Sequence, residues 1–263
     1  MSSPTPADTG LEGESRWAAN GSVSLHYLDR RADRHEPAVL FVPGFGEDAG
    51  DYVAMLDAVA PRRALAVDLR GRGRSTVPAA GYRIEDHVAD LDAIVADAGL
   101  GPVHLVTYSR GTAYGLGWAL SGGGRQGGPS ARVASITIGD YPPAHLVPPD
   151  NLAEIAATRR WRKRVMTDRM PATAIAAMVR DAVAVDWWSE MAACDAPVMV
   201  IRAGPGGMVG DEVEAMYRDR IPGVRMVTFA DSGHDLWSPD ADRFAATLVS
   251  WLDELESQQR VAR

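Results

Sequence analysis

The stretch VTYSRGTAYG, residues 106–115, joins an apolar run to a series of small residues, with one serine between them. The run that leads into it, PVHLVTY (102–108), is typical of a β-strand that is covered on both faces. The residues after Ser109 continue in a pattern typical of a helix. A tight turn between such a strand and such a helix makes the side chain at its apex project. The stretch therefore predicts a strand, a sharp bend and a helix, with Ser109 at the bend.

Five other apolar runs have the same character, and segments with helical spacing separate most of them. These runs are AVLFVPG (38–44), ALAVDL (64–69), ARVASITIGD (131–140), APVMVIRAG (196–204) and GVRMVTFAD (223–231). Strands that alternate with helices form right-handed βαβ units, which build a parallel sheet with helices on both faces. The predicted fold class is therefore α/β, with three layers in the order α/β/α and a mostly parallel sheet.

Two segments interrupt this alternation. The Gly-rich SGGGRQGGPS (121–130) predicts a flexible loop, and the segment 141–190 is far longer than the usual connection of about 2–6 residues. Because the pattern of the longer segment is mostly helical, we expect a helical cap inserted over the carboxyl edge of the sheet. The predicted organisation is a disordered tail at 1–15, an α/β core formed by 16–140 and 191–263, and the cap at 141–190.

The composition limits the class of protein and its partners. Hydrophobic residues make up 46% and charged residues 24% of the 263 residues, as in an ordinary globular protein. The net charge of −8 argues against a nucleic-acid partner, because phosphate binding needs a basic face. Cys194 is the only cysteine, which excludes a disulfide framework and a cysteine metal cluster. The sequence has neither a signal-peptide pattern nor an apolar run of membrane-spanning length, so we expect a cytoplasmic protein.

Three residues with side chains suited to nucleophilic catalysis follow predicted strands, namely Ser109, Asp140 and His234. Ligands of open α/β sheets bind beyond the carboxyl ends of the strands, where these residues are expected. A serine hydroxyl is a poor nucleophile at neutral pH. It needs a histidine to remove its proton and an acid to hold that histidine in the right tautomer. The pattern therefore predicts Ser109 as the nucleophile and His234 as the general base.

Four motifs occur in the order typical of the α/β-hydrolase superfamily, which the chain resembles from about Gly21 to Leu255. They are FVPGFGEDAGDY (41–52), DLRGRGRS (68–75), TYSRG (107–111) and FADSGHDLW (229–237). Two positions depart from the family pattern. Pro43 replaces the usual histidine before the oxyanion loop, and Thr107 replaces the first glycine of G-x-S-x-G. The resemblance implies the α/β-hydrolase fold, with an eight-stranded-type sheet and a helical cap.

The resemblance also implies an oxyanion hole and a place for the acid. The backbone N–H groups of Phe45 and Arg110 are expected to stabilise the oxyanion. Most relatives supply the acid after the strand that here reads PVMVIRAG, but no carboxylate follows it until Asp211. Haloalkane dehalogenases supply the acid one strand earlier, which corresponds to Asp140. We favour Asp140 over Asp211, whose position is that of a helix N-cap, and Asp235 is a third candidate.

Basic and aromatic residues of the predicted cap leave two interpretations open. The segment ATRRWRKRV (157–165) could recognise an anionic substrate, although a solvated face is the favoured interpretation. Large apolar side chains either pack within the cap or line an acyl pocket. They are Trp161, Trp187, Trp188, Met166 and Met170. The arginines of DLRGRGRS are interpreted as part of a structural loop, which Asp68 and Ser75 are expected to stabilise.

The predicted function is that of a serine hydrolase without a metal or a cofactor, which cleaves a small-molecule carboxylester or lactone through an acyl-enzyme. A thioester or C–C bond hydrolase, or a non-catalytic binding protein on the same scaffold, remains an alternative. A dinucleotide-binding oxidoreductase is a weaker alternative, because Gly44, Gly46 and Gly50 have one residue too many between them for a phosphate-binding loop. The substrate and the oligomeric state stay open.

Overall fold

The strands follow the apolar runs of the sequence, because Val, Ile and Leu side chains pack well on a pleated surface. The computed structural model describes residues 13–31, 34–120 and 132–261. Its strands are β1 (Glu14–Asn20), β2 (Val23–Arg30), β3 (Arg34–Val42), β4 (Arg62–Val67), β5 (Val103–Tyr108), β6 (Val133–Gly139), β7 (Ala144–His145), β8 (Arg160–Trp161), β9 (Arg164–Val165), β10 (Val185–Asp186), β11 (Val198–Ala203) and β12 (Arg225–Phe229). Each of the six predicted runs overlaps a strand. The Gly-rich loop predicted at 121–130 lies outside the described residues.

Eight of these strands form the main sheet, in the order β1-β2-β4-β3-β5-β6-β11-β12. From β4 to β12 all neighbours pair in parallel, whereas β2 pairs antiparallel with both β1 and β4. The predicted fold class is thereby confirmed. The β1–β2 hairpin was not among the predicted elements, and β1 begins at Glu14, inside the segment predicted as a tail. Most of that segment, residues 1–12, lies outside the described residues.

Helices cover both faces of the sheet. The α-helices are α1 (Val53–Ala58), α2 (Ile84–Asp97), α3 (Gly111–Leu120), α4 (Leu152–Thr158), α5 (Ala172–Asp181), α6 (Trp188–Ala192), α7 (Asp211–Arg220) and α8 (Ala241–Val261). Leu40 on β3 belongs to the apolar cluster that contains α2 and α3, whereas Phe41 belongs to the cluster that contains α1 and α8. This alternation produces the three predicted layers. No helix in the described part of the chain combines the length and apolar character that a bilayer crossing requires.

The segment 141–190 is called the insertion below because it lies between β6 and β11, which are neighbours in the sheet. It is described throughout and combines helices with short strands. It contains α4, α5, the start of α6 and four two-residue strands, which pair as β7 with β10 and β8 with β9. Met166 and Met170 of the insertion form a small apolar cluster with the helices α4 and α5. Phe45, in the loop after β3, packs against that cluster. The insertion therefore contacts a loop at the carboxyl edge of the sheet.

Candidate active site

Ser109 lies at a sharp bend between β5 and α3. Its backbone φ is 49°, a left-handed conformation that is strained for a residue with a side chain. The Ser109 N–H donates to the Gly139 carbonyl at 2.8 Å, and its carbonyl accepts from the Thr112 N–H at 2.9 Å. Gly111 allows the bend to approach β3, because a Cβ there would overlap the carbonyl oxygens of Pro43 and Val42. The predicted order of strand, bend and helix is confirmed.

Thr107, which departs from the family pattern, is accommodated within the bend. Its side chain is buried, and its Oγ1 lies 3.0 Å from Thr112 Oγ1. A Cβ at Gly115 on α3 would come within 2.5 Å of Thr107 Cγ2. The space that the family provides with glycine at the strand is here provided by Gly115 on the helix.

The structure brings Ser109, His234 and Asp140 into one hydrogen-bonded array. Ser109 Oγ lies 2.8 Å from His234 Nε2, and His234 Nδ1 lies 2.7 Å from Asp140 Oδ2. A carboxylate can only accept a hydrogen bond, so Nδ1 carries the proton, and Nε2 of the neutral ring is free to accept from the serine hydroxyl. This is the tautomer in which the imidazole can act as a base toward Ser109.

Asp140 is fully buried and follows β6 with a φ of 45°. Its Oδ1 accepts from the N–H groups of Ala203 at 3.1 Å and Val209 at 3.2 Å, and its Oδ2 accepts from that of Met208 at 2.9 Å. Burial alone would raise the pKa of this carboxyl group. The hydrogen bonds from His234 and from the backbone outweigh that effect and lower the pKa below its ordinary value.

The two other candidate acids are turned elsewhere. The Asp211 side chain is 95% exposed and pairs with Arg202 at 2.9 Å. Asp235 pairs with Arg162 at 3.3 Å and accepts a hydrogen bond from the Trp237 N–H at 3.2 Å. Asp140 is thus the candidate acid that contacts the histidine.

Tyr108 holds the His234 ring from one side. The two rings stack with centroids 5.6 Å apart and an interplanar angle of 22°. The Tyr108 hydroxyl donates to the His234 carbonyl and accepts from the Leu236 N–H at 3.4 Å. The His234 side chain remains 25% exposed. The ring is therefore positioned at both its side chain and its backbone, yet open to a substrate.

The predicted oxyanion donors lie on the two loops that meet at Ser109. A Cβ at Gly44 would lie 3.0 Å from Ser109 Cβ, so the loop that carries Phe45 passes directly beside the serine. The Arg110 side chain turns away and donates to the Leu146 carbonyl at 2.8 Å. Among the described residues, the backbone N–H groups of Phe45 and Arg110 have no protein acceptor. Both are available for a ligand.

Comparisons with known proteins identify the family and the fold. The model of the Alpha/beta hydrolase family matches residues 39–247, which is most of the chain. The chain belongs to the alpha/beta hydrolase family. This hydrolase is 25% identical over 274 aligned positions to N-formylmaleamate deformylase of Pseudomonas putida, and the match covers 91% of this chain and 98% of that protein.

Two solved structures illustrate the fold that the hydrolase shares. A thermophilic esterase from Thermogutta terrifontis with malate bound has a TM-score of 0.76 at 20% identity, covering 92% of this chain and 99% of the esterase. The enol-lactonase from Burkholderia xenovorans LB400 has a TM-score of 0.74 at 19% identity, covering 90% and 100%. At these identities the likeness establishes the fold of the hydrolase.

The cavity beside Ser109 and His234 has a volume of about 130 Å³. Its other lining residues come from the loop after β3, from β5 and from the insertion, and they are Phe45, Tyr108, Arg159, Trp161 and Met166. Of the five large apolar residues for which packing or a pocket was left open, Trp161 and Met166 line this cavity. Met170 packs within the insertion instead, and Trp187 and Trp188 pack in the core cluster.

Sequence reasoning missed a buried carboxylate that organises this site of the hydrolase. Glu47 Oε2 accepts from the Gly44 N–H at 2.7 Å and from the Tyr52 hydroxyl at 2.7 Å. Its Oε1 accepts from Trp161 Nε1 at 3.0 Å and lies 2.9 Å from Arg162 Nη2. Glu47 therefore ties the loop after β3 to the insertion.

In the motif DLRGRGRS, Arg72 makes a contact with the loop after β3 that was not predicted. Asp68 and Ser75 hold the loop as expected, since Asp68 accepts from the Ala49 N–H at 2.7 Å and Ser75 Oγ donates to the Asp68 carbonyl at 2.6 Å. Arg72, however, is buried, and its Nη1 donates to the Gly44 carbonyl at 2.7 Å. Gly44 C=O and Phe45 N–H belong to the same peptide group. Arg72 therefore orients the peptide that carries the first predicted oxyanion donor.

The part of the chain that the structure describes has no group of three or more His, Cys, Asp or Glu residues placed to hold a metal ion.

Proposed function

We propose that this hydrolase cleaves small carboxylic esters or lactones, with Ser109 as the nucleophile, His234 as the general base and Asp140 as the orienting acid. One observation carries the proposal. Ser109 Oγ lies 2.8 Å from His234 Nε2, and His234 Nδ1 lies 2.7 Å from Asp140 Oδ2. Both separations are within the range of hydrogen bonds through which protons move.

The reaction begins when Ser109 Oγ bonds to the carbonyl carbon and His234 Nε2 takes the serine proton. The carbonyl oxygen becomes an oxyanion, which accepts hydrogen bonds from the N–H groups of Phe45 and Arg110. When the intermediate collapses, the C–O bond to the leaving alcohol breaks, and His234 gives that oxygen the proton. The acyl group is then an ester of Ser109.

Water completes the cycle by the same route. His234 takes a proton from the water as the water oxygen attacks the acyl carbon, and the proton then passes to Ser109 Oγ as the acid leaves. Asp140 stays ionised and stabilises the imidazolium that forms in both half-reactions. The lowered pKa of Asp140 favours this charge state.

An amide-type bond is the second candidate for the bond cleaved. The relative that matches almost the whole chain is named for removing a formyl group from N-formylmaleamate. The same steps would then expel nitrogen instead of oxygen. The substrate in that name and the malate bound to the Thermogutta esterase are both carboxylates. The formyl group in that name is a short acyl group, and a cavity of about 130 Å³ also favours short acyl groups.

Active-site labelling and kinetics test the proposal together. We expect a fluorophosphonate to label the protein, and Ser109→Ala to abolish both labelling and hydrolysis of short-chain esters. Asp140→Asn should lower kcat by about 10³- to 10⁴-fold, because the amide leaves the imidazole in the wrong tautomer. Asp211→Asn is the matched control, since this exposed acid pairs with Arg202 rather than with His234, and Asp211→Asn should leave kcat unchanged.

Two results would contradict the proposal. Labelling that persists in Ser109→Ala would place the nucleophile elsewhere. A loss of activity in Asp211→Asn that matches the loss in Asp140→Asn would mean that the acid had been assigned wrongly.

A further inference from the structure

The basic segment ATRRWRKRV of the insertion docks onto the core through two of its arginines. Arg162 lies 2.9 Å from Glu47 and 3.3 Å from Asp235, and its guanidinium stacks 3.8 Å from the Trp237 ring centroid. Arg164 pairs with Asp48 at 3.0 Å. These two positive charges are balanced by acids of the core, and they hold the segment over the site.

Arg159, in the same segment, has a different environment. It lines the cavity that contains Ser109 and His234, and it is exposed. Its backbone is fixed at the end of α4, because its N–H donates to the Ile155 carbonyl at 3.0 Å and its carbonyl accepts from the Met166 N–H at 3.1 Å. Within the described ranges, no carboxylate lies within ion-pair distance of its guanidinium. The backbone of Arg159 is thus fixed beside the cavity, and among the described residues its guanidinium has no carboxylate partner.

Among the described residues that line the cavity, Arg159 is the one with a guanidinium, ammonium or carboxylate side chain. The other described lining residues are apolar or aromatic apart from Ser109 and His234. The nearby buried acids are already satisfied, Glu47 by Arg162 and by N–H and O–H donors, and Asp140 by His234 and three backbone N–H groups. A partly desolvated site strengthens the attraction of such a charge for an anion.

We infer that Arg159 is a carboxylate-binding residue, and that the preferred substrates are short esters or amides whose acyl part carries a second, free carboxylate. This inference rests on the proposed function. A guanidinium forms paired, charge-assisted hydrogen bonds with a carboxylate, which makes it selective for this group. A volume of about 130 Å³ is close to that of cavities that hold a benzene-sized molecule, so the acyl part is short. Half-esters of four-carbon dicarboxylic acids fit this description.

Monoethyl succinate and ethyl succinamate provide a matched pair of probes, because they differ only in a carboxylate against a neutral amide. We expect the wild-type protein to favour monoethyl succinate in kcat/KM. In Arg159→Gln the ratio of the two kcat/KM values should fall by about 10- to 100-fold, the usual range for losing a charge-assisted hydrogen-bonded pair. Arg160→Gln removes a neighbouring exposed arginine that does not line the cavity, and it should leave the ratio within about twofold of wild type.

Charge reversal gives a second, independent readout. Arg159→Glu should shift the preference from monoethyl succinate toward ethyl 4-aminobutyrate, whose ammonium group replaces the free carboxylate. Because Arg159 is exposed, neither variant removes a buried contact.

The outcomes separate this inference from the proposed function. A ratio that is the same in wild type and Arg159→Gln, with hydrolysis still dependent on Ser109, overturns the role of Arg159 and leaves the serine hydrolase intact. Failure of both esters and of fluorophosphonate labelling overturns both. A ratio that falls in Arg160→Gln as much as in Arg159→Gln also overturns the inference, because the effect would then be that of general surface charge.

Discussion

Thr107 and Gly115 form a reciprocal pair at the base of the nucleophile bend. The threonine fills a place that is glycine in the family pattern, and the missing side chain at Gly115 provides its space. The hydroxyl of Thr107 also gains a partner in Thr112 at 3.0 Å. A departure that weakens a sequence motif can therefore be compensated by a residue eight positions along the chain.

This pairing predicts an unusual effect for Gly115→Ala. Alanine in a helix is normally favoured over glycine by about 0.5–1 kcal/mol. Here we expect a net loss of about 1–3 kcal/mol in the free energy of unfolding, because the new Cβ would lie 2.5 Å from Thr107 Cγ2 in an already filled core. Urea denaturation of the wild type and the variant measures the difference.

The double variant Thr107→Ser/Gly115→Ala is the control for this prediction. Serine keeps the hydroxyl that meets Thr112 but lacks the Cγ2 that obstructs alanine. Most of the stability lost in Gly115→Ala should therefore return in the double variant, with a coupling energy of about 1 kcal/mol or more. Strictly additive effects of the two substitutions would show that the two side chains do not compete for this space.

The proposed oxyanion chemistry depends on the loop after β3. Hydrogen bonds fix this loop at both the N–H and the carbonyl group of Gly44. Glu47 accepts from the Gly44 N–H, and Arg72 donates to the Gly44 carbonyl, each at 2.7 Å. A cation at the carbonyl end of a peptide group also polarises the peptide, so its N–H becomes a stronger donor. The orientation and the donor strength of the Phe45 N–H thus both depend on Arg72.

We expect Arg72→Met to lower kcat by about tenfold or more while KM changes little, because an oxyanion donor acts mainly in the transition state. The affinity for a boronic acid that mimics the tetrahedral intermediate should fall by a similar factor. Kinetics and inhibitor titration at a temperature where the variant is folded measure both effects.

Arg70→Met is the control from the same motif. Arg70 is buried like Arg72, but it donates to Asp90 and to the Gly81 carbonyl, away from the site. This variant should lose stability, yet the folded fraction should keep the wild-type kcat. If Arg70→Met and Arg72→Met lowered kcat equally, the effect of Arg72 would be one of general stability.

Elements with a local signal were predictable, and those defined by distant contacts were not. The six parallel strands could be read as apolar runs, and the bend at Ser109 from the small residues that follow it. The β1–β2 hairpin has no continuous apolar run, because β1 at the sheet edge is mostly exposed or half-buried and the buried positions of β2 include the polar His26 and Asp29. The four strands of the insertion have two residues each, which is too short for a sequence pattern, and they are recognised as strands from their pairing.

The residues of the candidate site also divide into those with a local sequence signal and those defined by distant contacts. Ser109, Asp140 and His234 follow strands, and a parallel sheet brings such positions to one edge. Glu47 lacks any such signal, because its bond to Trp161 spans 114 positions of the chain. Arg159 and Arg162 belong to one basic segment, and the sequence does not distinguish their roles. The structure shows that Arg159 lines the cavity and that Arg162 pairs with Glu47.

On the scale of the whole molecule, buried histidines link stability to pH. Burial lowers the pKa of His104 to about 4, and the nearby Arg62 adds to the effect while Glu256 opposes it. Burial likewise lowers the pKa of His145 to about 4, with a further contribution from Arg110. Both groups are therefore neutral in the folded protein at pH values where an unfolded chain would protonate them.

The sign of the effect follows from proton binding. Between the unfolded pKa of about 6.5 and the folded value, the unfolded chain binds more protons, so stability falls as the pH falls. At pH 5 each such histidine should cost about 2 kcal/mol of unfolding free energy relative to pH 7. The loss continues down to the folded pKa and is complete below it.

The variant His104→Gln tests whether the buried His104 makes the stability depend on pH. Glutamine can keep a hydrogen bond to Ser135 Oγ, which lies 2.8 Å from His104 Nδ1, but it does not titrate. We expect the fall in unfolding free energy between pH 7 and pH 5 to be about 2 kcal/mol smaller in His104→Gln than in the wild type. Urea denaturation at the two pH values measures each difference, and the carboxylates contribute equally to both proteins and cancel. An identical fall in the two proteins would mean that His104 is protonated in the folded state, in spite of its burial on β5 beside Ser135 of β6.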